Sequence, residues 1–257
     1  MPSITRDGVR IHYELAGAGP PALLIHAFSG SHSSWVGYGF VERLQDHHQL
    51  ILPDLRGHGL SDGPVLPEAY RLEELAEDMV ALLDALRVER VHCLGYSMGG
   101  LVALSLATRH PARLRTLALG GCSPYPPAPG HHRHELLALY ERAAIEGPDA
   151  LVEGIRAWAG GGISPAYEAR LRAANIAAGA ACLRWLAANP PDYSAALPGI
   201  TLPCLIYCGD ADANAADARR AAAAMPQGRS ITLPGMGHVQ GAGASAEIAP
   251  HLLEHWR

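Results

Sequence analysis

The sequence is poor in cysteine, and its few cysteines follow no recognisable pattern. Five of the 257 residues are cysteines, an odd number, and none of them stands in a Cys-x-x-Cys pair. This scatter argues against a disulfide framework and against a cysteine metal site. A reducing compartment is the simplest setting for the chain, in which cysteines pack as small apolar residues. The five are Cys93, Cys122, Cys182, Cys204 and Cys208.

Long apolar runs and an excess of basic charge are missing as well. No segment approaches the roughly 20 apolar residues of a membrane span, and Met1–Gly8 lacks the apolar core of a signal peptide. The formal net charge of -5 and the pI near 6.3 leave no basic face for a nucleic acid. We therefore predict a cytoplasmic protein, monomer or homodimer, that acts on a small-molecule substrate and has neither a membrane nor a nucleic acid as partner.

Apolar material, by contrast, is ample: 49% of the residues are hydrophobic and only 18% are charged, which argues for a folded core. Apolar runs of strand length alternate with helical stretches, a pattern that predicts a parallel sheet with right-handed crossovers. The predicted strands are Val9–Leu15 with a hairpin partner before Asp7–Gly8, Pro21–His26, Gln49–Pro53, Arg90–Leu94, Arg115–Gly120, Leu202–Gly209 and Ser230–Leu233, and the predicted helices are Trp35–Gln45, Leu72–Val88 and Leu101–His110.

The alternation is interrupted once. Ser123–Gly130 is too rich in proline for a helix or a central strand, and the stretch from 131 to 189 has helical spacing without a convincing strand. We predict a core domain of residues 1–121 and 192–257, with residues 122–191 inserted as a helical cap above the strand ends. The insertion contains Trp158, Tyr167 and Trp185, and aromatics of this kind form the core of a cap more often than they contact substrate.

The segment Gly95-Tyr96-Ser97-Met98-Gly99-Gly100 joins a predicted strand directly to a predicted helix. Only a tight turn can make this connection, so Ser97 is expected at its tip with strained backbone angles. Glycines at positions 95 and 99 remove side chains that would otherwise collide. This is the G-x-S-x-G pattern of a nucleophile elbow in its required setting. On these six residues alone, a glycine-rich helix start that binds an anion or merely turns the chain remains an alternative.

A serine nucleophile needs a histidine base that is oriented by a carboxylate, and the sequence offers candidates for both. His238 follows the last predicted strand among small residues, while Asp210 and Asp212 follow the strand before it. Strand ends of this kind are where α/β sheets build their sites. Asp212 is preferred as the acid, with Asp210 as a turn residue or supporting partner and Asp217 expected in solvent. The order Ser97, Asp212, His238 is the one expected after a nucleophile elbow.

Attack on a carbonyl places negative charge on its oxygen, and two backbone amides should receive that charge. Met98, next to the nucleophile, supplies one amide by its position in the chain. The second is expected in the loop after the strand Pro21–His26, where Phe28 is the candidate for the oxyanion hole.

Two polar stretches have simpler interpretations. Asp54–Asp62 is a turn-rich loop at a strand end, which we interpret as an ionic and hydrogen-bonded brace in preference to a part of the catalytic apparatus. His131, His132 and His134 invite a metal interpretation, but adjacent histidines seldom converge on one ion, and no nearby Cys/Asp set completes a site. We expect neither a metal ion nor a cofactor.

Taken together, these motifs show that the chain resembles a serine-type α/β-hydrolase fold protein, both up to Gly121 and from Asp192 onward. The resemblance implies an α/β fold with a mostly parallel eight-stranded sheet flanked by helices and a helical cap insertion. It also implies Ser97 as nucleophile, Asp212 as acid and His238 as base. At Ala27 the family commonly has glycine, a departure that bears on the Phe28 amide. The motifs are His26–Gly30, Asp54–Ser61, Gly95–Gly100, Gly209–Asp212 and Gly235–His238.

Within that family, a Ser-Met-Gly-Gly elbow with a short helical cap is similar to small carboxylesterases, enol-lactonases and carbon-carbon bond hydrolases. A serine nucleophile argues against epoxide hydrolases and haloalkane dehalogenases, which use aspartate there. We therefore predict a hydrolase of a small, largely apolar ester or lactone, acting through an acyl-enzyme on Ser97. A carbon-carbon bond hydrolase acting on a vinylogous diketone, or an acyl-transferring tailoring enzyme, would share the triad. A binding protein that kept the fold without turnover is the alternative of another class.

Overall fold

A computed structural model describes residues 1–126, 133–158 and 162–257. Eight strands form one sheet in the order β1-β2-β4-β3-β5-β6-β7-β8. The hairpin β1–β2 and the pair β2–β4 are antiparallel, and all other neighbouring strands are parallel. The predicted eight-stranded, mostly parallel sheet is thus confirmed. The strands are β1 (Ser3–Arg6), β2 (Val9–Ala16), β3 (Pro21–Ile25), β4 (Gln49–Pro53), β5 (Val91–Tyr96), β6 (Leu114–Gly120), β7 (Cys204–Gly209) and β8 (Gly228–Leu233).

Helices cover both faces of this sheet. Successive residues of β3 separate into two apolar clusters, with Leu23 and Ile25 on one face and Ala22 and Leu24 on the other, as the two-residue period of a strand requires. A strand covered on both faces is continuously apolar, which is why these strands could be located from sequence. The helices are α1 (His32–Gly37), α2 (Phe40–Leu44), α3 (Leu72–Ala85), α4 (Met98–Arg109), α5 (Arg133–Glu146), α6 (Pro148–Trp158), α7 (Pro165–Arg172), α8 (Ile176–Ala188), α9 (Ala215–Ala224), α10 (His238–Ala242) and α11 (Ser245–His255).

One helix prediction was wrong. The stretch Trp35–Gln45, expected as one helix, consists of the end of α1 and the whole of α2. Gly39 lies between them with a φ of 78°, a left-handed conformation that ends one helix and redirects the chain. Trp35 and Phe40 are nevertheless both buried and pack edge to face with ring centroids 5.1 Å apart. The apolar pattern that suggested a single helix therefore reflects burial of both pieces against the same face of the sheet.

Between β6 and β7 the chain forms α5, α6, α7 and α8, which we call the inserted helices. Buried residues of all four share an apolar cluster of their own, which includes Tyr140, Leu151 and Leu171. Helix α8 has two apolar faces. Leu183 belongs to the cluster of the inserted helices, whereas Cys182 belongs to the main core, the larger cluster that contains Leu23 and Ile25 of β3. The inserted helices are thus packed around their own core and joined to the larger apolar cluster of the molecule through α8.

Two sequence predictions concern this region, the histidine patch and the division of the chain into domains. His131 and His132 lie outside the described residues, and His134 is exposed on α5. The division into a core domain and a cap at 122–191 stays a prediction. Among the described residues, no helix is both long and apolar enough to cross a bilayer.

Candidate active site

Ser97 lies in the turn between β5 and α4 with a strained backbone, at φ 53° and ψ -115°. A conformation of this kind costs of the order of 1–3 kcal/mol and persists only where its surroundings enforce it. The enforcing contacts are tight: a Cβ at Gly95 would lie 2.2 Å from the Gly99 carbonyl oxygen, and a Cβ at Gly99 would lie 2.1 Å from the carbonyl oxygen of Ile25. The collisions expected from the sequence are therefore the ones that glycine avoids here.

The three residues proposed for a triad come together although they are far apart in the chain. His238 Nδ1 lies 2.7 Å from Asp212 Oδ2, and His238 Nε2 lies 3.0 Å from Ser97 Oγ. A carboxylate can only accept, so Nδ1 donates its proton to Asp212, which leaves Nε2 to accept the hydroxyl proton of Ser97. Each residue follows a different parallel strand, and the carboxyl ends of such strands meet at one edge of the sheet.

The carboxylate of Asp212 is held as an anion by its partners. Burial, the largest single influence, would raise the pKa of this carboxyl, because only 2% of its side chain is exposed. The hydrogen bond from His238 and the bond from the Asn214 amide, 2.9 Å from Oδ1, outweigh that effect and lower the pKa below its usual value. Asp212 is therefore ionised near neutral pH and fixes the orientation of the imidazole.

The other two acids near this strand end have different partners. Asp210 is exposed, and its Oδ1 accepts the amide of Gly235 at 2.7 Å, so it braces the turn before His238 as the sequence suggested. Asp217, expected in solvent, is instead partly buried, and its Oδ2 accepts the hydroxyl of Ser123 at 2.6 Å. Neither acid is hydrogen-bonded to the imidazole in the described part of the chain.

Tyr96, inside the elbow motif, was not assigned a role from sequence. Its hydroxyl donates to the backbone carbonyl of His238 at 2.6 Å, and its ring centroid lies 5.5 Å from that of the imidazole. Burial raises the pKa of this phenol well above its ordinary value, so it stays a donor. Tyr96 thus holds the histidine backbone from directly beside the serine. A tyrosine before the nucleophile was visible in the sequence, but its partner lies 142 positions away.

The loop after β3 carries the second candidate amide, that of Phe28. The Phe28 ring is fixed by edge-on contacts to His58 and Tyr140, with centroids 5.2 and 5.3 Å apart. Met98 is the first residue of α4, and the first amides of a helix have no acceptor within the helix. Neither amide donates a hydrogen bond within the described ranges. Ala27 has no positive φ, so its methyl group fits the loop without strain.

The buried ring of His26 fixes the loop that carries Phe28 through two hydrogen bonds. Its Nδ1 lies 2.7 Å from the Ala27 carbonyl, to which it donates, and its Nε2 accepts the amide of Leu55 at 3.0 Å. Complete burial lowers the pKa of His26 to about 3, so the ring is neutral and keeps this one tautomer. The side chain therefore links the Phe28 loop to the residues after β4.

The loop that begins at Asp54 is the brace expected from its sequence. The buried Asp54 carboxylate accepts the amides of His32 and Leu60 at 2.6 and 2.9 Å, together with the ring of His12 at 2.9 Å. Burial opposes ionisation, but the hydrogen bond from the His32 ring and these amides hold the pKa of Asp54 well below its usual range. Arg56 is also buried, and its guanidinium donates to the two carboxylate oxygens of Asp78 at 2.7 and 2.6 Å. The spacing of three side chains in this brace would allow a metal ion, namely His12, His32 and Asp54. Both histidine rings are, however, already hydrogen-bonded to the Asp54 carboxylate.

A cavity opens above Ser97 between the sheet and the inserted helices. The space amounts to about 860 Å³, counting the part that is open to solvent. Its wall combines Ser97 and His238 with apolar and aromatic side chains. Trp158 and Tyr167 contribute from the inserted helices, whereas Trp185 packs against the main core. Among the described residues, the wall includes no Asp or Glu and one guanidinium, that of Arg170.

This geometry can activate a hydroxyl and stabilise an oxyanion inside a mostly apolar cavity. The family model for the alpha/beta hydrolase fold matches residues 20–158, more than half of the chain. The chain belongs to the α/β-hydrolase fold family. The resemblance seen in the sequence is confirmed, and the family is one of enzymes that includes named hydrolases.

Solved structures extend the likeness of this α/β-hydrolase to the whole chain. A hydrolase from Pseudomonas aeruginosa PA01 superposes with a TM-score of 0.85 at 28% identity, over 99% of this chain and 97% of that one. A thermophilic esterase from Thermogutta terrifontis, with malate bound, superposes with a TM-score of 0.79 at 26% identity, over 98% and 95%.

Curated relatives match over a shorter region. A 2-hydroxymuconate semialdehyde hydrolase from Pseudomonas sp. (strain CF600) is 35% identical over 125 residues, which are 47% of this chain and 44% of that protein. The matched region covers less than half the length of each of the first such relatives. An enol-lactonase and epoxide hydrolases also occur among the similar proteins.

Proposed function

We propose that this α/β-hydrolase cleaves a small, largely apolar ester or lactone through an acyl-enzyme on Ser97. The observation that carries the proposal is the hydrogen-bonded chain from Asp212 through His238 to Ser97 at the floor of the cavity. In the first step His238 Nε2 takes the hydroxyl proton while Ser97 Oγ attacks the substrate carbonyl. The ionised Asp212 stabilises the imidazolium that forms.

The amides of Met98 and Phe28 are the proposed donors to the oxyanion. Removing one such donor typically costs about 2.7–4 kcal/mol of transition-state stabilisation. Collapse of the tetrahedral intermediate expels the alcohol, which receives the proton from His238. Water, deprotonated by the same histidine, then attacks the acyl-enzyme, and as the acid leaves, His238 returns the proton to Ser97 Oγ. The inserted helices act as a cap that shapes the pocket for the acyl or alcohol group.

The decisive experiment is detection of the acyl-enzyme. Rapid mixing with p-nitrophenyl acetate should release a burst of nitrophenol close to one equivalent per active site, and mass spectrometry should locate the acetyl group on Ser97. Ser97→Ala should abolish both signals while its thermal unfolding stays close to that of the wild type. Undiminished turnover in Ser97→Ala, or an acetyl group on another residue, would remove Ser97 from the role of nucleophile.

Substrate choice needs a panel, because the same triad serves more than one reaction. Esters of increasing acyl length and lactones test the main proposal. A vinylogous diketone belongs in the panel as well, since one relative is named a 2-hydroxymuconate semialdehyde hydrolase. Adding an acceptor alcohol would reveal acyl transfer. Stoichiometric acylation without turnover would instead indicate a binding member of the fold.

A further inference from the structure

Arg170 differs from four other arginines of the inserted helices, Arg142, Arg156, Arg172 and Arg184. Each of these four lies within ion-pairing distance of at least one carboxylate on the same group of helices. Within the described residues, Arg170 has no carboxylate at that distance. The four pairs are Arg142 with Glu146, Arg156 with Glu168, Arg172 with Asp149, and Arg184 with Glu141.

The Arg170 guanidinium is positioned by an aromatic ring, but its Nε lacks a hydrogen-bond acceptor among the described residues. Its Cζ lies 5.1 Å from the centre of the Tyr167 ring, a cation–π distance that orients the side chain. Its Nε is buried and, among the described residues, finds no hydrogen-bond acceptor. Buried donors without a partner are rare in folded proteins, and each one calls for an explanation such as an absent ligand.

The side chain borders two cavities rather than bulk solvent alone. One is the cavity above Ser97, and the other lies across the loop at Ser29 and Gly30, where Asn175 forms part of the wall. Ser29 lines both cavities, and its hydroxyl lies 3.0 Å from that of Tyr167. Two hydroxyls that share one hydrogen bond leave one O–H proton free to donate. A cation and a free O–H donor therefore stand together at the wall.

From this arrangement we propose that Arg170 binds a free carboxylate of the substrate, a group distinct from the ester or lactone that Ser97 attacks. One guanidinium offers two parallel N–H donors that match one carboxylate. A phosphate would call for more charge than Arg170, the one guanidinium among the described residues of this wall. The inference rests on the proposed function and refines it: the substrate is an apolar ester or lactone that carries one carboxylate, which passes unchanged into a product.

Matched substrate pairs test the inference. 4-Nitrophenyl hydrogen glutarate and 4-nitrophenyl pentanoate differ only by a carboxylate in place of a methyl group on the acyl side. 4-Carboxyphenyl butyrate and 4-methylphenyl butyrate place the same difference on the alcohol side. The readout is the ratio of kcat/KM for the acid to that for its neutral partner, with Ser97→Ala as the blank for spontaneous hydrolysis.

We expect the wild type to favour the acid in at least one pair, and Arg170→Met to lower that ratio by about 10- to 100-fold, as the loss of a charge-assisted hydrogen bond predicts. Arg170→Lys should recover part of the ratio. Arg172→Met is the matched control, because Arg172 lies on the same helix but pairs with Asp149 and Glu168, and it should leave the ratio unchanged. If Arg170→Met slows acid and neutral esters equally, the side chain only supports the fold and the proposal is wrong.

A binding experiment separates this inference from the proposed reaction. Calorimetry with Ser97→Ala and 4-nitrophenyl hydrogen glutarate should show binding that is lost when Arg170→Met is added to the same protein. Binding of this kind without turnover by the wild type would overturn the esterase proposal and keep the carboxylate site. Equal affinity with and without Arg170, combined with an unchanged kinetic ratio, would overturn the site.

Discussion

The sheet and the inserted helices stabilise their polar groups in opposite ways. Below the cavity, Asp54 and Asp212 are buried, and each accepts several hydrogen bonds. In the inserted helices, most ion pairs among the described residues are exposed, as in Arg172 with Asp149, whose side chains are 48% and 77% exposed. Exposed pairs contribute about 0–1 kcal/mol, whereas a buried charge that loses its partner costs several times more.

This contrast separates two tasks within one molecule. Buried and fully partnered groups cannot move without a large loss of stability, so the sheet edge holds the candidate catalytic residues at fixed distances. The inserted helices depend on a small apolar cluster and on exposed pairs, so their cavity-facing residues can change at low cost. We therefore expect substitutions below the cavity to affect the chemistry or the fold, and substitutions above it to affect substrate choice.

The largest difference is expected between two acids that follow the same strand. Asp212→Asn should lower kcat by about 1,000- to 10,000-fold, because an amide in this position favours the wrong tautomer of His238. Asp210→Asn should change it by less than about 10-fold, since Asp210 braces a turn through one hydrogen bond. Ester hydrolysis under saturating substrate measures both. The reverse ranking would transfer the role of acid to Asp210.

A pair of glycines tests the rigidity of the two regions. Gly99→Ala places a methyl group against the Ile25 carbonyl and should lower the free energy of unfolding by at least about 1–3 kcal/mol. It should also reduce activity by displacing the elbow. Gly162→Ala, between α6 and α7, meets no atom within 4 Å and should be neutral in both assays. Denaturant unfolding followed by circular dichroism gives the comparison, and a neutral Gly99→Ala would show that the elbow can relax.

The hydroxyl of Tyr167 connects the inserted helices to the loop after β3 through Ser29. Tyr167→Phe removes the hydrogen bond to Ser29, which should reduce kcat/KM by about 2- to 10-fold, the value of one neutral hydrogen bond. The effect should fall on KM rather than on kcat if the inserted helices act on binding. A drop confined to kcat would instead place Tyr167 in the chemical step.

The smallest expected effect concerns the stability of the fold at low pH. It involves His92, which lies near the amino-terminal end of β5, away from the cavity. Burial lowers the pKa of His92 from 6.5 to about 4, so between these values the unfolded chain binds more protons than the folded one. Stability is therefore lost as the pH falls from about 6.5 toward 4. His92→Gln, which can still bond Thr116, should show a smaller fall in Tm between pH 7 and pH 5 than the wild type. His134→Gln on the exposed surface of α5 should match the wild type, and equal slopes for all three proteins would show that His92 does not contribute.

The sequence alone determined the sheet, the family and the candidate triad, because each of these depends on local signals. Strands buried on both faces are continuous apolar runs, and a strand followed at once by a glycine-flanked serine allows only a tight turn. The parallel order of strands then brings Asp212 and His238 to the edge where Ser97 stands. The helix predicted over Trp35–Gln45 was wrong only in being continuous. Gly39 interrupts it, while the apolar residues Trp35 and Phe40 on either side are both buried.

Only the tertiary structure decided the contacts between residues that are far apart in the chain. The bond from Tyr96 to the His238 carbonyl spans 142 positions, and the pairing of Ser29 with Tyr167 spans 138. The isolation of Arg170 could not be read from its neighbours, because Arg172 stands two residues away and is fully paired. Whether a side chain finds a partner depends on how helices pack, and helix packing follows from the summed apolar burial of many residues rather than from any short motif.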